Sequence, residues 1–285
     1  MQIEIIKYIQ SMTSPFGDIF FQLVTMTGEE YFYIFAAAII FWCVNKKFGY
    51  KLGFALLTSV IVNVALKDIV NSARPIGVNG IRSLRVETAT GSSFPSGHTQ
   101  GSATFWISCI IHVRKKWIYF VGILAIFLVG YSRLYLGLHY PIDVIGGIGI
   151  AIIWTFISNY IFDYADASKK TWVLLIIIVP MLIGMIFFKD KSYYAIVGTV
   201  LGFCVGYIIE TKYVQYDVRG TKLKQFIKLV FGIGVLIILR NVLKGILPVN
   251  IISDLFRYFI IGLWITVGAP IIFKRFVNVS STIEN

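Results

Sequence analysis

Three short motifs in the first part of the chain place cationic, imidazole and carboxylate side chains at fixed spacing. They read Lys67-x6-Arg74-Pro75, then Pro95-Ser96-Gly97-His98, then Ser132-Arg133-x5-His139-x3-Asp143. Lysine and arginine bind phosphate oxygens, and an imidazole with a carboxylate partner can act as a nucleophile. The set is therefore suited to binding a phosphate and cleaving its ester bond.

In the first motif, Lys67 and Arg74 are seven residues apart, about two helical turns, so their side chains share a face if the helix continues. Pro75 then ends the helix. Phosphate binds both a lysine point charge and an arginine fork. The alternative, equally compatible with these two residues alone, is that their stems lie along the lipid and their charges reach the membrane boundary.

In the second motif, Ser96 is predicted to cap a helix whose N-terminus is an anion site. Gly97 leaves room for close approach, and His98 lies in the first turn. An ordinary helix cap with a chance histidine is the alternative.

In the third motif, Arg133 ends one apolar run, and Pro141 suits the first turn of the next helix. His139 and Asp143 then lie close together, and the carboxylate fixes the tautomer of the imidazole. The alternative is a purely structural hydrogen bond between His139 and Asp143.

The elements that position these motifs are membrane helices. Of the 285 residues, 57% are hydrophobic and 14% are charged, against about 45–50% and 25% in soluble domains. We predict an all-α, polytopic membrane helical bundle of about nine transmembrane helices, with residues 2–27 as an N-terminal interfacial helical segment. The predicted spans are roughly 31–45, 51–72, 97–113, 118–136, 141–162, 171–188, 193–210, 226–245 and 251–273.

The distribution of Lys and Arg between the loops predicts how the protein is oriented in the membrane. The net charge is +12, and more than half of the Lys and Arg residues fall in one alternate set of loops, which should be cytoplasmic. The protein is thus predicted to be a multi-pass cell membrane protein with a cytoplasmic C-terminus and all three motifs on the outer, non-cytoplasmic face. The basic residues are explained by the bilayer, so we expect no nucleic-acid partner.

The chain divides near residue 165, within a predicted linker at 163–170. Residues 1–165 carry every motif, and residues 166–285 form an accessory four-span membrane region without one. In that region Gly198, Gly202 and Gly206 share one helix face and predict close helix packing. Internal packing is favoured over a homodimer contact.

The three motifs together resemble the signature of the type 2 phosphatidic acid phosphatase superfamily, over residues 30–165. The resemblance implies that His139 is a nucleophile that forms a phosphohistidine, that Asp143 orients it, and that His98 acts as general acid and then assists water. It implies phosphate binding by five further residues, and no metal or cofactor. The phosphate-binding residues are Lys67, Arg74, Ser96, Gly97 and Arg133.

The favoured function is a membrane lipid phosphatase, acting on a lipid phosphate substrate such as undecaprenyl diphosphate, phosphatidylglycerol phosphate or phosphatidic acid. The outward orientation mildly favours undecaprenyl diphosphate. Two alternatives stay open at this point. One is a lipid phosphotransferase that uses the same intermediate, and the other is a lipid transporter or scaffold with a vestigial site.

Overall fold

A computed structural model describes residues 1–277, and within them the chain is all-helical, with no β-strand. The coarse prediction of an all-α membrane protein is thus confirmed. The helices are α1 (Gln2–Ser11), α2 (Pro15–Met26), α3 (Glu30–Ile39), α4 (Lys46–Val70), α5 (Gly97–Val113), α6 (Lys116–Tyr135), α7 (Pro141–Ser168), α8 (Leu175–Phe187), α9 (Lys191–Ile209), α10 (Lys222–Ile246), α11 (Ile251–Leu263) and α12 (Ala269–Ile272).

Six stretches of helix in the described part of the chain are long and apolar enough to cross a bilayer. They are Lys46–Val70, Lys116–Tyr135, Pro141–Ser168, Lys191–Val214, Lys222–Ile246 and Ile251–Phe276. A seventh candidate is the pair α2 and α3, which is bent by 51°. The other predicted spans fall on shorter helices, α5 with 17 residues and the segment Thr171–Phe187. The total of nine crossings therefore stays a prediction.

Helix starts follow the capping chemistry of the sequence. At four helices the side chain of the N-cap residue accepts a hydrogen bond from a backbone N–H of the following turn. These N-cap residues are Ser14, Asp190, Thr221 and Asn250. These acceptors satisfy donors that the helix itself leaves without partners. Polar residues thus define where α2, α9, α10 and α11 begin.

The first of two compact units consists of Met1–Ile34 and Val62–Ser158. The N-terminal helices α1 and α2 pack against α6 within it. The Phe21 ring lies 5.2 Å from the ring of Tyr131 and 4.4 Å from that of Tyr135, measured between centroids. Residues 2–27 are helical except for turns, as predicted, while their position at the membrane interface stays a prediction.

The second unit consists of Phe35–Ile61 and the chain from Asn159 onward. The predicted linker at 163–170 is wrong for most of its length, because α7 continues to Ser168. The acidic residues there are held by ion pairs: Asp163 pairs with Lys51, and Asp166 pairs with Lys47 at 2.7 Å. Whether residue 165 marks a functional boundary stays a prediction.

The glycine stripe on α9 packs against the segment that starts with α11. A Cβ added at Gly198 would lie 2.2 Å from the carbonyl oxygen of Leu255, and one at Gly202 would lie 2.1 Å from that of Phe259. These distances leave no space for a side chain. The stripe therefore serves internal packing, as favoured from the sequence.

We expect Gly202→Ala to lower the thermal unfolding midpoint of the purified protein in detergent, because the new methyl group meets backbone atoms of α11 that cannot move aside alone. Overpacking of this kind costs roughly 1–3 kcal/mol. Gly234→Ala is the matched control, since open space surrounds its Cβ position and alanine favours a helix over glycine. Equal midpoints for the two variants would contradict the packing described.

Candidate active site

The three motifs converge within the first compact unit. Lys67 lies in the last turn of α4 and Arg133 in the last turn of α6, while His98 and Asp143 lie in the first turns of α5 and α7. Arg74 lies on the loop between α4 and α5, and His139 on the turn between α6 and α7. Each functional side chain is thus held at or near a helix end.

A tight turn joins Arg133 to His139. The carbonyl oxygen of Arg133 accepts a hydrogen bond from the backbone N–H of Leu138 at 3.0 Å. Gly137 has a φ of +65°, and a Cβ there would lie 2.3 Å from the carbonyl oxygen of Arg82. Only glycine satisfies both the left-handed backbone and the close approach, so the spacing between the arginine and the histidine is defined by this turn.

The carboxylate of Asp143 organises the site. Its Oδ2 accepts hydrogen bonds from the backbone N–H of Tyr140 at 2.7 Å and from the hydroxyl of Ser93 at 2.5 Å. The same oxygen lies 3.4 Å from Nδ1 of His139. The bond to Tyr140 closes the start of α7 as one half of a capping box. One buried carboxylate thus fixes both the helix start and the imidazole.

His139 is 1% exposed, and its two ring nitrogens face opposite charges. Nε2 lies 2.9 Å from Nη1 of Arg74, a group that can only donate. Nε2 must therefore be the acceptor, and the proton resides on Nδ1, facing Asp143. This is the tautomer in which Nε2 keeps its lone pair.

The charge state of His139 follows from its surroundings. Burial holds the pKa of His139 well below its usual value of 6.5, and the charges of Arg133 and Arg74 lower it further. Desolvation and nearby cations both disfavour the imidazolium. The ring is therefore neutral at pH 7, which is the form that can attack an electrophile.

The guanidinium of Arg74 has acceptors for all five N–H groups. Besides His139, it donates to the carbonyl oxygens of Leu138, Thr90, Gly91 and Ser92 at 2.7 to 3.2 Å. Four of the five bonds hold the side chain to the backbone. Arg74 can thus reach a phosphoryl oxygen beside Nε2 by exchanging one bond while the other four keep it in place.

Lys67 is tied to the same loop. Its Nζ donates to the carbonyl oxygen of Ser92 at 2.5 Å, and the hydroxyl of Ser92 donates to the carbonyl oxygen of Lys67 at 2.7 Å. These reciprocal bonds fix the end of α4 to the segment that carries Arg74's acceptors. Lys67 and Arg74 thus share the carbonyl oxygen of Ser92 as an acceptor. The prediction that the helix continues to Pro75 is wrong, because α4 ends at Val70 and Arg74 lies on the following loop.

Arg133 and His98 contrast with these two residues. Arg133 is completely buried and donates from Nη1 to the hydroxyl of Thr25 at 2.9 Å, while its Nε and Nη2 have no protein acceptor. Nε2 of His98 is likewise buried without a partner. His98 interacts electrostatically with both Arg133 and His139. The unsatisfied donors of Arg133 and the unpartnered ring nitrogen of His98, together with the neutral imidazole of His139, form a site that an anion would complete.

The start of α5 is only partly as predicted. Ser96 does occupy the N-cap position, but the prediction that its side chain caps the helix is wrong. Its hydroxyl pairs instead with the hydroxyl of Thr99 at 2.9 Å, and its backbone N–H donates to the carbonyl oxygen of Asp143 at 3.0 Å. The first N–H groups of α5, including that of Gly97, still point outward from the helix end.

Ser93 and Thr25 were not identified from the sequence as part of the site. Neither belongs to a motif, and Thr25 lies in the predicted interfacial segment, far from the motifs in the chain. A buried hydroxyl bonded to a motif residue can be found only from the fold. Among residues 1–277, no cluster of three or more His, Cys, Asp or Glu side chains has the arrangement of a metal site.

Comparison with known proteins places this geometry in a family. The family model for the "PAP2 superfamily" matches residues 48–167, which contain all three motifs, and the model for the "PAP2 superfamily phosphatase, transmembrane extension" matches residues 194–281. The chain belongs to the PAP2 superfamily. The resemblance to type 2 phosphatidic acid phosphatases is thus confirmed.

Two similar proteins are named as phosphatases. The chain is 30% identical to an undecaprenyl-diphosphatase of Sulfolobus acidocaldarius over 121 residues, which make up 42% of this chain but only 58% of that protein. It is 29% identical to a lipid A 4'-phosphatase of Bacteroides thetaiotaomicron over 188 residues, 59% of this chain and 77% of that protein.

One crystal structure gives a structural comparison. The crystal structure of Aquifex aeolicus LpxE superposes with a TM-score of 0.50 at 30% identity, covering 55% of this chain and 93% of that one. The remaining residues of this PAP2 chain lie beyond the superposed region.

We expect Ser93→Ala to lower the rate of phosphate release by about tenfold, because a hydrogen bond to a charged group contributes roughly 1.5–3 kcal/mol and Asp143 would hold His139 less firmly. Steady-state kinetics with purified protein would measure the change. Ser11→Ala is the control and should leave kcat unchanged, since that exposed hydroxyl donates only to the carbonyl oxygen of Tyr8 within α1, at 2.7 Å. An unchanged kcat for Ser93→Ala would show that its hydroxyl does not support His139 through Asp143.

Proposed function

We propose that this protein is an integral membrane lipid phosphatase that removes a terminal phosphoryl group through a phosphohistidine intermediate. The observation that carries the proposal is the state of His139. Its Nε2 keeps a lone pair, its Nδ1 proton faces Asp143, and cations lie around it. A buried imidazole of this kind is prepared for attack on an anionic phosphorus centre.

The first chemical step forms the bond between Nε2 of His139 and phosphorus. As this bond forms, the bond from phosphorus to the lipid oxygen breaks, and His98 donates a proton to the departing oxygen. Asp143 stabilises the positive charge that develops on the imidazole. The unsatisfied N–H groups of Arg133 meet the charge on the phosphoryl oxygens.

The second step returns the enzyme to its starting state. Water attacks the phosphohistidine, His98 accepts the proton of that water, and the bond between phosphorus and Nε2 breaks. Inorganic phosphate is then released. Through both steps the phosphoryl oxygens are stabilised by positive charge and hydrogen bonds. These come from Lys67, Arg74 and the N–H groups at Gly97. Ser96 contributes indirectly, through the residues that it contacts, because its own hydroxyl is hydrogen-bonded to that of Thr99.

The proposed substrates are lipids that carry a phosphomonoester or a diphosphate. Undecaprenyl diphosphate, phosphatidylglycerol phosphate and phosphatidic acid are the candidates. The similarity to an undecaprenyl-diphosphatase and to a lipid A 4'-phosphatase supports a lipid with a terminal phosphoryl group. Undecaprenyl diphosphate is the first candidate to test, because the proposed outer location of the site suits a carrier lipid used at that face.

We further propose nine crossings, with the active site on the outer face and the C-terminus in the cytoplasm. In this arrangement α3, α5 and α8 cross in addition to the six long spans. The 51° bend between α2 and α3 supports an interfacial α2. Residues 278–285, which contain the C-terminus, lie outside the described residues.

We expect His139→Ala to reduce phosphate release by roughly a thousandfold or more, because a missing nucleophile removes the covalent route. Asp143→Asn should lose roughly a hundredfold or more through the wrong tautomer. Release of phosphate from undecaprenyl diphosphate and from phosphatidic acid, in the presence of EDTA, is the measurement.

The control is His112→Ala at the far end of α5, which should retain normal turnover. A folded His139→Ala protein with undiminished release would refute the proposal. Transfer of labelled phosphate to an added alcohol, in place of release to water, would instead favour the phosphotransferase alternative.

Topology is tested by cysteine labelling in intact cells, in a background that carries Cys43→Ala, Cys109→Ala and Cys204→Ala. Asn79→Cys, on the exposed loop that carries Arg74, should react with a membrane-impermeant maleimide added outside. Lys170→Cys, exposed between α7 and α8, should react only after permeabilisation. The reverse pattern would place the active site in the cytoplasm.

A further inference from the structure

One arginine outside the three motifs lies beside the active site. Arg85, on the loop between α4 and α5, forms an ion pair with Glu29 at 2.6 Å and approaches the carbonyl oxygen of Gln22 at 3.5 Å. Its Nε is buried and has no protein acceptor. Its side chain is only 18% exposed. A donor buried in this way costs free energy unless a ligand satisfies it.

The backbone holds Arg85 in an unfavourable conformation. Its φ is +56°, in the left-handed region that costs a residue with a side chain about 1–3 kcal/mol. The neighbouring loop is fixed from outside: Gln10 bonds to both the N–H and the carbonyl of Arg82, and Arg82 forms a bidentate pair with Asp18 at 2.5 and 2.7 Å. These contacts force the loop into the shape that directs Arg85 toward α2.

The contacts of Arg85 place it on the side of the site occupied by His98. Arg85 contacts Gln22 and Arg133 contacts Thr25, both on α2. Because these two α2 residues are three positions apart, they lie about 5–6 Å apart on one face of the helix. Further along, a Cβ added at Gly28, next to Glu29, would lie 3.3 Å from Cβ of His98.

The electrostatic interactions of Arg85 also place it near His98. The charge of Arg85 acts on His98 and on Arg133. Arg133 and Arg74 act on both histidines, and on His98 their effect exceeds that of Arg85, so the position of Arg85 follows from its contacts with α2. Since His98 serves the leaving group in the proposed function and His139 serves the phosphorus under attack, Arg85 belongs to the leaving-group side.

We propose that Arg85, held in position by Glu29, is a binding residue for the second, lipid-side phosphoryl group of a lipid diphosphate. This inference rests on the proposed function and specifies its substrate class. In a monoester the leaving group departs as a neutral alcohol after protonation and offers no charge to Arg85. In a diphosphate, the bond from the terminal phosphorus to the bridging oxygen breaks, and that oxygen leaves on an anionic lipid monophosphate.

The chemistry of arginine fits this role. A guanidinium presents parallel N–H donors that match two oxygens of one phosphoryl group, and such charge-assisted pairs are stronger than neutral hydrogen bonds. Glu29 accepts one hydrogen bond from Nη2, which carries two N–H groups, so the Nε–H and the second N–H of Nη2 remain for the ligand. The carboxylate also opposes an incoming anion, so it tunes the subsite while it orients the arginine.

The test compares two substrates that share one lipid, farnesyl diphosphate and farnesyl monophosphate, with purified full-length protein in detergent. Arg85→Ala should lower kcat/KM for the diphosphate by about tenfold or more, the value of one charge-assisted contact, and change that for the monophosphate by less than about threefold. Arg85→Lys, which keeps the charge and loses the fork, should fall between Arg85→Ala and the unmodified protein for the diphosphate only. Equal losses on both substrates would overturn the subsite.

Glu29→Gln provides a second test, because it removes the negative charge that opposes the anionic substrate and keeps a hydrogen-bond acceptor for Arg85. It should lower KM for the diphosphate and leave the monophosphate unchanged; a raised KM for the diphosphate would count against the subsite. Arg219→Ala is the matched control, since Arg219 forms a comparable arginine–carboxylate pair with Asp217 at 2.7 Å on an exposed loop of the other unit. It should behave as the unmodified protein.

Failure of this inference is distinguishable from failure of the proposed function. If His139→Ala retains hydrolysis of both substrates, the assigned nucleophile is wrong. If His139→Ala is inactive and Arg85→Ala affects both substrates equally, only the subsite is wrong. If Arg85→Ala does not fold, as judged by gel filtration, the comparison of Arg85→Lys with Glu29→Gln decides the outcome.

Discussion

The concentration of positive charge around one buried imidazole is the constraint on which the catalytic unit depends. Lys67, Arg74 and Arg133 all act electrostatically on His139, and like charges at close range oppose folding. The structure offsets this repulsion with oriented oxygen atoms: loop carbonyls for Lys67 and Arg74, and a single hydroxyl from Thr25 for Arg133. The loop between α4 and α5 and the N-terminal helices are therefore parts of the site. They supply the acceptors that make it stable.

The same constraint explains which cations are satisfied and which are available. Arg74 is fully bonded, four times to backbone, and keeps its place whatever binds at Nε2 of His139. Arg133 lacks two acceptors although it is completely buried. In the proposed function, the anchored Arg74 would orient the phosphoryl group on one side, and the unsatisfied donors of Arg133 would bind it on the other.

Much of this could be predicted from the sequence, because the motifs depend on local chemistry. The membrane helices follow from apolar length, and the pairing of His139 with Asp143 follows from a helix start with Pro141. The contact of Ser93 with Asp143 could not be predicted, since the two residues are distant in the chain and the contact depends on a non-repeating loop. The cap at Ser96 was mispredicted because a hydroxyl neighbour, Thr99, competes for its side chain. Whether the short α5 and the bent pair of α2 and α3 each cross the membrane depends on how the bilayer surrounds them. Composition alone does not determine this.

Asp143 joins two tasks that are usually carried by different residues. Its side chain binds the N–H of Tyr140 and the hydroxyl of Ser93, and its backbone carbonyl binds Ser96, so it ties α7 to both the loop and α5. Its loss would therefore disturb architecture as well as turnover, whereas loss of His139 would disturb turnover alone. A lineage of such proteins that abandoned catalysis for another membrane task would shed the imidazole early and keep the carboxylate. Retention of the acidic residue is thus a poor guide to whether a relative is still an enzyme.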